Sequence, residues 1–264
     1  MSVRSTFDDS VVVTYRNLKR IPRIPELAIF AILQSVMFVL LFAFVFGGAI
    51  EIPGGGSYRE YLMPGIFAQT LAFAAATTAI GITDDMNKGL VDRFRSLPMA
   101  RSAFLTGRTL SDVVYNAGIL VVLMVSGLAV GWRVRDGVLQ FLAGCALALL
   151  FAYAMSWLGV WLGQQVPTVE VANQVAFTTI FPITFLSNIF VPSETLPDVL
   201  IPVAEWNPVS NLTAALRELF GNPNPFPADS FPAEHAITLT VLWSIVVVAV
   251  FAPLATRSYR VTSR

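Results

Sequence analysis

The sequence predicts an all-α integral membrane protein with six transmembrane helices, and three observations lead there. Of its 264 residues 55% are hydrophobic and only 13% charged, with a mean hydropathy of +0.68. That is more apolar than a soluble domain with a polar surface. Six stretches, at 27–47, 62–82, 109–130, 138–162, 171–191 and 236–256, are mostly apolar. Each has about the 20 residues that a helix needs to cross the hydrocarbon. Finally, the cations are asymmetric. Six spans put both termini on one side, which then holds 13 of the 17 Lys and Arg residues and leaves Arg59, Arg133, Arg135 and Arg217 on the other. The positive-inside rule makes this a multi-pass protein of the cell membrane with cytoplasmic N- and C-termini.

The chain divides into a cytoplasmic amphipathic helix at 1–26, the six-span domain at 27–256 and a cytoplasmic tail at 257–264. In the first segment Phe7, Val11, Tyr15 and Leu18 recur at helical spacing, with Asp9, Arg16, Lys19 and Arg20 opposite or flanking. Such a helix lies in the membrane interface, its cations among lipid phosphates. Pro22 and Pro25 then break it and turn the chain into the bilayer. The first apolar run starts far from Met1, behind a polar segment, so no cleaved signal peptide is expected.

Between the second and third spans lies a charged cytoplasmic block, expected to be helical over about 83–100. Asp84, Lys88, Asp92 and Arg95 share one side by spacing, and Met86, Leu90, Phe94 and Leu97 another, before Pro98 stops the helix. The pattern serves equally a helix lying on lipid and one docked in a groove of another protein, where apolar anchors drive docking and charges set register.

Between the fifth and sixth spans two short helices are expected on the outer side, within about 194–221. One carries Leu196, Val199, Leu200, Val203 and Ala204; the other carries Leu212, Ala215, Leu216, Leu219 and Phe220, ended by Gly221 and Pro223. The break at Glu205, Trp206, Asn207 and Pro208 offers Ser210 as the N-cap of the second. Two helices too short to span form a re-entrant or interfacial hairpin, tolerated at membrane depth when packed on protein or facing water. The sequon at Asn211 falls inside the second helix and carries little weight.

Polar side chains inside the spans form two groups. Asn173, Gln174, Thr178, Thr184 and Asn188 of the fifth fall within about 140° of arc by the helical repeat; Gln69, Thr70 and Thr77 share a face of the second. They either line a path or bond neighbouring helices. In the third span Asp112 stands one turn after Arg108, spaced for an ion pair.

Other chemistry is not signalled. The zero net charge gives no basic balance toward nucleic acid, the lone Cys145 excludes an internal disulfide, and the lone His235 leaves no His/Cys cluster for a metal. A phosphate-binding loop needs Lys followed by Ser or Thr, yet Lys19 precedes Arg20 and Lys88 precedes Gly89. The chain is not expected to hydrolyse ATP or to be an enzyme.

The run from Asp92-Arg93-Phe94-Arg95-Ser96-Leu97-Pro98 to Arg101, continuing to Gly107-Arg108, resembles the cytoplasmic loop of type-2 ABC exporter permeases of the daunorubicin-resistance group. Ser187-Asn188-Ile189-Phe190-Val191-Pro192 through Pro197, with Asn207-Pro208-Val209 and Arg217-Glu218-Leu219, resembles that group's outer segment. The resemblance implies a permease subunit, as a homodimer or with a sister permease, paired with two soluble ATPase subunits that carry the ATP and Mg. This chain then needs no cofactor of its own. The resemblance also makes the charged block a coupling helix, with Asp84, Asp85, Lys88, Asp92, Arg93 and Arg95 contacting the ATPase. The N-terminal helix becomes the connecting element, and the outer helices, with Glu205, Asn207 and Pro208, an outer gate. The implied cargo is an amphiphilic drug-like compound or lipid. The alternatives are export of a lipid-linked polymer or glycolipid by the same architecture, and a non-transporting membrane anchor for a soluble partner.

Overall fold

Long apolar runs with few breakers become long helices. The computed structural model describes residues 11–17, 19, 33–34, 36–46, 57–90, 101–190, 196–224 and 230–261, among which there is no strand. In chain order the helices are α1 (11–17), α2 (Val36–Val45), α3 (Tyr58–Ala72), α4 (Ala74–Asn87), α5 (Arg101–Ala129), α6 (Val138–Gln165), α7 (Val169–Phe185), α8 (Ile201–Glu205), α9 (Pro208–Phe220), α10 (Phe231–Glu234) and α11 (Ala236–Val261). Phe73 alone separates α3 from α4, so the two form one apolar rod.

Among the described residues, four helices are long and apolar enough to cross a membrane: Tyr58–Asn87, Ala103–Ala129, Val138–Gln165 and Ala236–Tyr259. They coincide with the second, third, fourth and sixth predicted spans. Only part of the first predicted span is described, including the short apolar α2. The fifth differs from expectation. Helix α7 has 17 residues, about 26 Å at 1.5 Å per residue, and stops at Phe185 instead of running on to 191. Residues 186–190 form a turn whose carbonyls bond side chains from other elements in place of helical N–H groups.

The rods pack where small residues permit it. Gly159 and Gly163 of α6 lie one turn apart against α4; a methyl added to either would stand 2.3 Å from the Ala75 carbonyl oxygen or 2.5 Å from that of Ala79. Thr83 Oγ donates to the Gly163 carbonyl at 2.9 Å across the same seam. Close backbone approach at small residues is the usual means of helix association in lipid, where no hydrophobic drive separates tail from side chain. Trp161 of α6 meets Phe251 of α11, ring centres 5.2 Å apart.

Two apolar cores result. One, toward the hairpin end of the rods, gathers Tyr61, Leu62, Phe67, Trp132, Leu216 and Phe220 from α3, the loop after α5, and α9. The other, at the charged end, joins Val13 of α1 with Ile82, Phe104, Trp157, Val160 and Tyr259. Val11 and Tyr15, two members of the predicted apolar face of the N-terminal helix, are exposed, and Val13 is buried. Phe7 and Leu18 lie outside the described residues.

Helix α9 begins one turn earlier than expected. Its N-cap is Asn207, whose Oδ1 accepts from the Val209 N–H at 2.9 Å, with Pro208 at the first helical position. Ser210 lies inside the helix and is not its cap. At the other end Gly221 takes the left-handed conformation (φ 66°), with Asn222 N–H bonded to the Arg217 carbonyl and Gly221 N–H to that of Glu218. This is the glycine stop that the sequence predicts.

Candidate functional site

At the charged end α4 closes at Asn87, and Gly89 adopts φ 65°. A continuous helix over 83–100 is therefore interrupted at Gly89, and Asp84 and Lys88 belong to the end of the α3–α4 rod. They form an i, i+4 pair at 2.7 Å, half-open to solvent. Asp92, Arg93 and Arg95 lie outside the described residues. Asp85 points the other way: it is buried, and Arg108 Nη1 reaches its Oδ2 at 3.3 Å. Arg108 Nε also pairs with Asp112 at 3.2 Å, as the spacing predicts, while Thr78 Oγ donates to Asp112 Oδ2 at 2.7 Å. The i, i+4 pair was legible in the sequence, but Asp85 as its third member was not.

Helix α7 buries only Ala172, Ala176, Ile180 and Thr184. Asn173, Gln174 and Thr178 are exposed together, and Gln174 Nε2 lies 3.4 Å from Thr178 Oγ. Pro182 has no N–H to give the Thr178 carbonyl, which adds an acceptor to this face. Thr184 and Asn188 are buried elsewhere, so the structure divides the predicted stripe in two. Of the second group, Gln69 is buried, Thr70 half-buried and Thr77 exposed, so these do not share one open surface. Beside the polar face runs a ladder that polar-residue reasoning missed: Phe177 on Phe181 at 4.9 Å and Phe181 on Phe185 at 4.3 Å, all exposed.

At the hairpin end Arg217, 1% exposed, is the centre of the packing. Its Nε donates to the Tyr61 carbonyl at 2.9 Å, Nη2 to those of Asn188 at 2.9 Å and Ile189 at 3.3 Å, and its guanidinium lies 3.6 Å over the Tyr61 ring. Among the described residues no carboxylate pairs with it. Tyr61 Oη adds a second bond to the Asn188 carbonyl at 2.7 Å, and Ser210 Oγ accepts from the Asn188 N–H. Gly65 lets the turn approach, since a methyl there would stand 3.0 Å from the Ile189 carbonyl oxygen. Asn207 Nδ2 donates to the carbonyls of Ile183 at 2.6 Å and Leu186 at 3.1 Å, while Pro208 and Glu205 are half-buried beside it. Nearby, the hydrogen bond and charge of Glu60 push the exposed Arg135 guanidinium further above its ordinary pKa.

Asn207 thus caps α9 and ties the end of α7 to it. Asn207→Ala is expected to lower stability by about 1–2 kcal/mol, read as an earlier melting transition in detergent. An unchanged transition would mean that the cap and both carbonyl bonds contribute nothing.

These features define a polytopic helical membrane protein with a charged end, a polar helix face left open, and a locked hairpin at the opposite end. Residues 10–220 match the ABC-2 type transporter family, and the chain belongs to it. It is 30% identical, over 93% of its length and 84% of the relative's, to the daunorubicin resistance ABC transporter permease protein DrrB1 of Streptomyces coeruleorubidus. Two Mycobacterium tuberculosis proteins are also similar. One is the probable doxorubicin resistance ABC transporter permease protein DrrC, 23% identical over 79% of this chain and 75% of its own. The other is the doxorubicin resistance ABC transporter permease protein DrrB, 26% identical over 72% and 65%.

Proposed function

We propose that this chain is the permease subunit of an ATP-driven exporter that moves an amphiphilic drug-like compound or lipid out of the cell. The observation that carries the reading is the likeness, over 93% of the chain, to a daunorubicin resistance permease. The open face of α7 supports it: on a helix that this reading puts at membrane depth, Asn173, Gln174 and Thr178 need water, cargo or another protein chain opposite them.

In this reading the chain crosses the membrane six times, α2 and α7 belonging to the first and fifth spans, with both termini cytoplasmic. The charged segment from Asp84 through Lys88, Asp92, Arg93 and Arg95 docks on an ATPase subunit, which holds ATP and Mg. Asp85 acts from inside the bundle. Two copies of the permease, or one with a sister permease, face each other through the second span (α3–α4) and the fifth (α7) and meet two ATPase subunits, because a closed two-fold pair is the simplest way to build both walls of a path. The hairpin with Glu205, Asn207 and Pro208 forms the outer gate.

Two measurements test this. In vesicles holding the chain with its co-purified ATPase subunits, doxorubicin should move on addition of ATP; association without movement would favour the membrane-anchor reading. In a Cys145→Ala background, Thr178→Cys should cross-link between two chains while Val247→Cys on α11 does not. The reverse result would remove α7 from the interface.

A further inference from the structure

The turn of α5 at 107–112 is gripped from two sides. From α4, Asp85 accepts from Arg108 Nη1 at 3.3 Å and Thr78 donates to Asp112 at 2.7 Å. Gly81 makes the room: a methyl there would stand 2.0 Å from Arg108 Nη2 and 2.8 Å from Cζ. Thr78, Gly81 and Asp85 follow spacings of three and four, so one face of α4 forms a cradle for this guanidinium. From α1, Thr14 Oγ donates to the Gly107 carbonyl at 3.0 Å and Asn17 Nδ2 to Ser111 Oγ at 3.3 Å. Ser111 Oγ in turn donates to the Arg108 carbonyl at 2.7 Å.

Plain helix packing needs none of this. The seam between α4 and α6 carries no charged pair among the described residues, only close glycine and alanine contacts and one Thr83 hydroxyl bond, and Arg108 had a local partner in Asp112. The extra bond to Asp85 ties α5 to the last turn of α4, where the chain turns into the charged segment. A half-buried guanidinium that leaves its carboxylates strands the buried Asp85 charge, so a pull on the end of α4 carries α5 with it.

We propose that Arg108 is a positioning residue for transport. It transmits displacement of the charged segment after α4 into α5, at the turn where the N-terminal helix also takes hold. The proposal rests on the exporter reading and names the joint through which hydrolysis on the partner would drive this chain.

The test is the amount of doxorubicin moved per ATP hydrolysed, in vesicles holding the chain with its co-purified ATPase subunits. Arg108→Gln should lower that ratio roughly tenfold, within the roughly 5- to 150-fold range of coupling between sites. Arg108→Lys, a compact ammonium without the planar fork that reaches both carboxylates, should restore melting more than it restores the ratio. A purely structural role would lose folded complex and leave the ratio of the survivors at the wild-type value, which would overturn the proposal. If Arg108→Gln yields no complex, Asp112→Asn, close in shape but lacking the charge, is read by the same ratio. A wild-type chain that recruits no ATPase overturns the exporter reading and this proposal together. A pumping wild type with an unchanged Arg108→Gln ratio overturns this proposal alone.

Discussion

Arg217→Leu is expected to cost about 3–5 kcal/mol, because three hydrogen bonds from a charged donor are lost and a bond of that kind contributes about 1.5–3 kcal/mol. The side chain reaches from α9 to both the Tyr61 carbonyl and the 186–190 turn, where Ser210 adds one bond from the same helix. Leucine fills some of its volume but leaves buried carbonyl oxygens at Tyr61 and Ile189 without that donor, at about 1–3 kcal/mol for each unmet group. The Asn188 carbonyl keeps the Tyr61 hydroxyl. Arg217→Lys should recover only part of the loss, because an ammonium lacks the planar fork that reaches both strands of the clamp and stacks on the Tyr61 ring. Thermal melting in detergent measures both variants. A leucine variant that melts with the wild type would mean that the Arg217 bonds do not hold the hairpin.

Gly159→Ala and Gly163→Ala are expected to be the next most damaging, each by about 1–3 kcal/mol for forcing extra volume into a packed interface. Their new methyls would meet backbone oxygens of Ala75 and Ala79, which cannot swing aside as a side chain does. The internal control is Gly118→Ala in α5, whose methyl meets nothing within 4 Å. That change should stabilise by up to about 1 kcal/mol through helix propensity. If all three variants melt alike, the rods are not in backbone contact along this seam.

Features that depend on neighbours along the chain can be read from the amino-acid order. Apolar length marks the long rods at 58–87, 103–129, 138–165 and 236–259, the glycine after Phe220 stops α9, and a four-residue spacing pairs Arg108 with Asp112. Each follows from a repeat or cap that spans a few residues. The tertiary structure decided the rest. Arg217 counts as an outer-loop cation by charge and is a buried clamp by contact, because its acceptors lie as far as 156 positions away. Helix α7 stops at Phe185 because carbonyls beyond it bond Asn207, Tyr61 and Arg217, side chains on other elements that replace helical donors. The polar stripe on α7 divides for the same reason. Periodicity sets where Asn173, Thr178 and Thr184 point about the α7 axis, while packing against the bundle sets which of those directions is covered, and Asn188 lies past the helix end in the turn. Asp85 follows the same rule: spacing places it beside Asp84, and the approach of α5 supplies a guanidinium that helps a carboxylate to be buried.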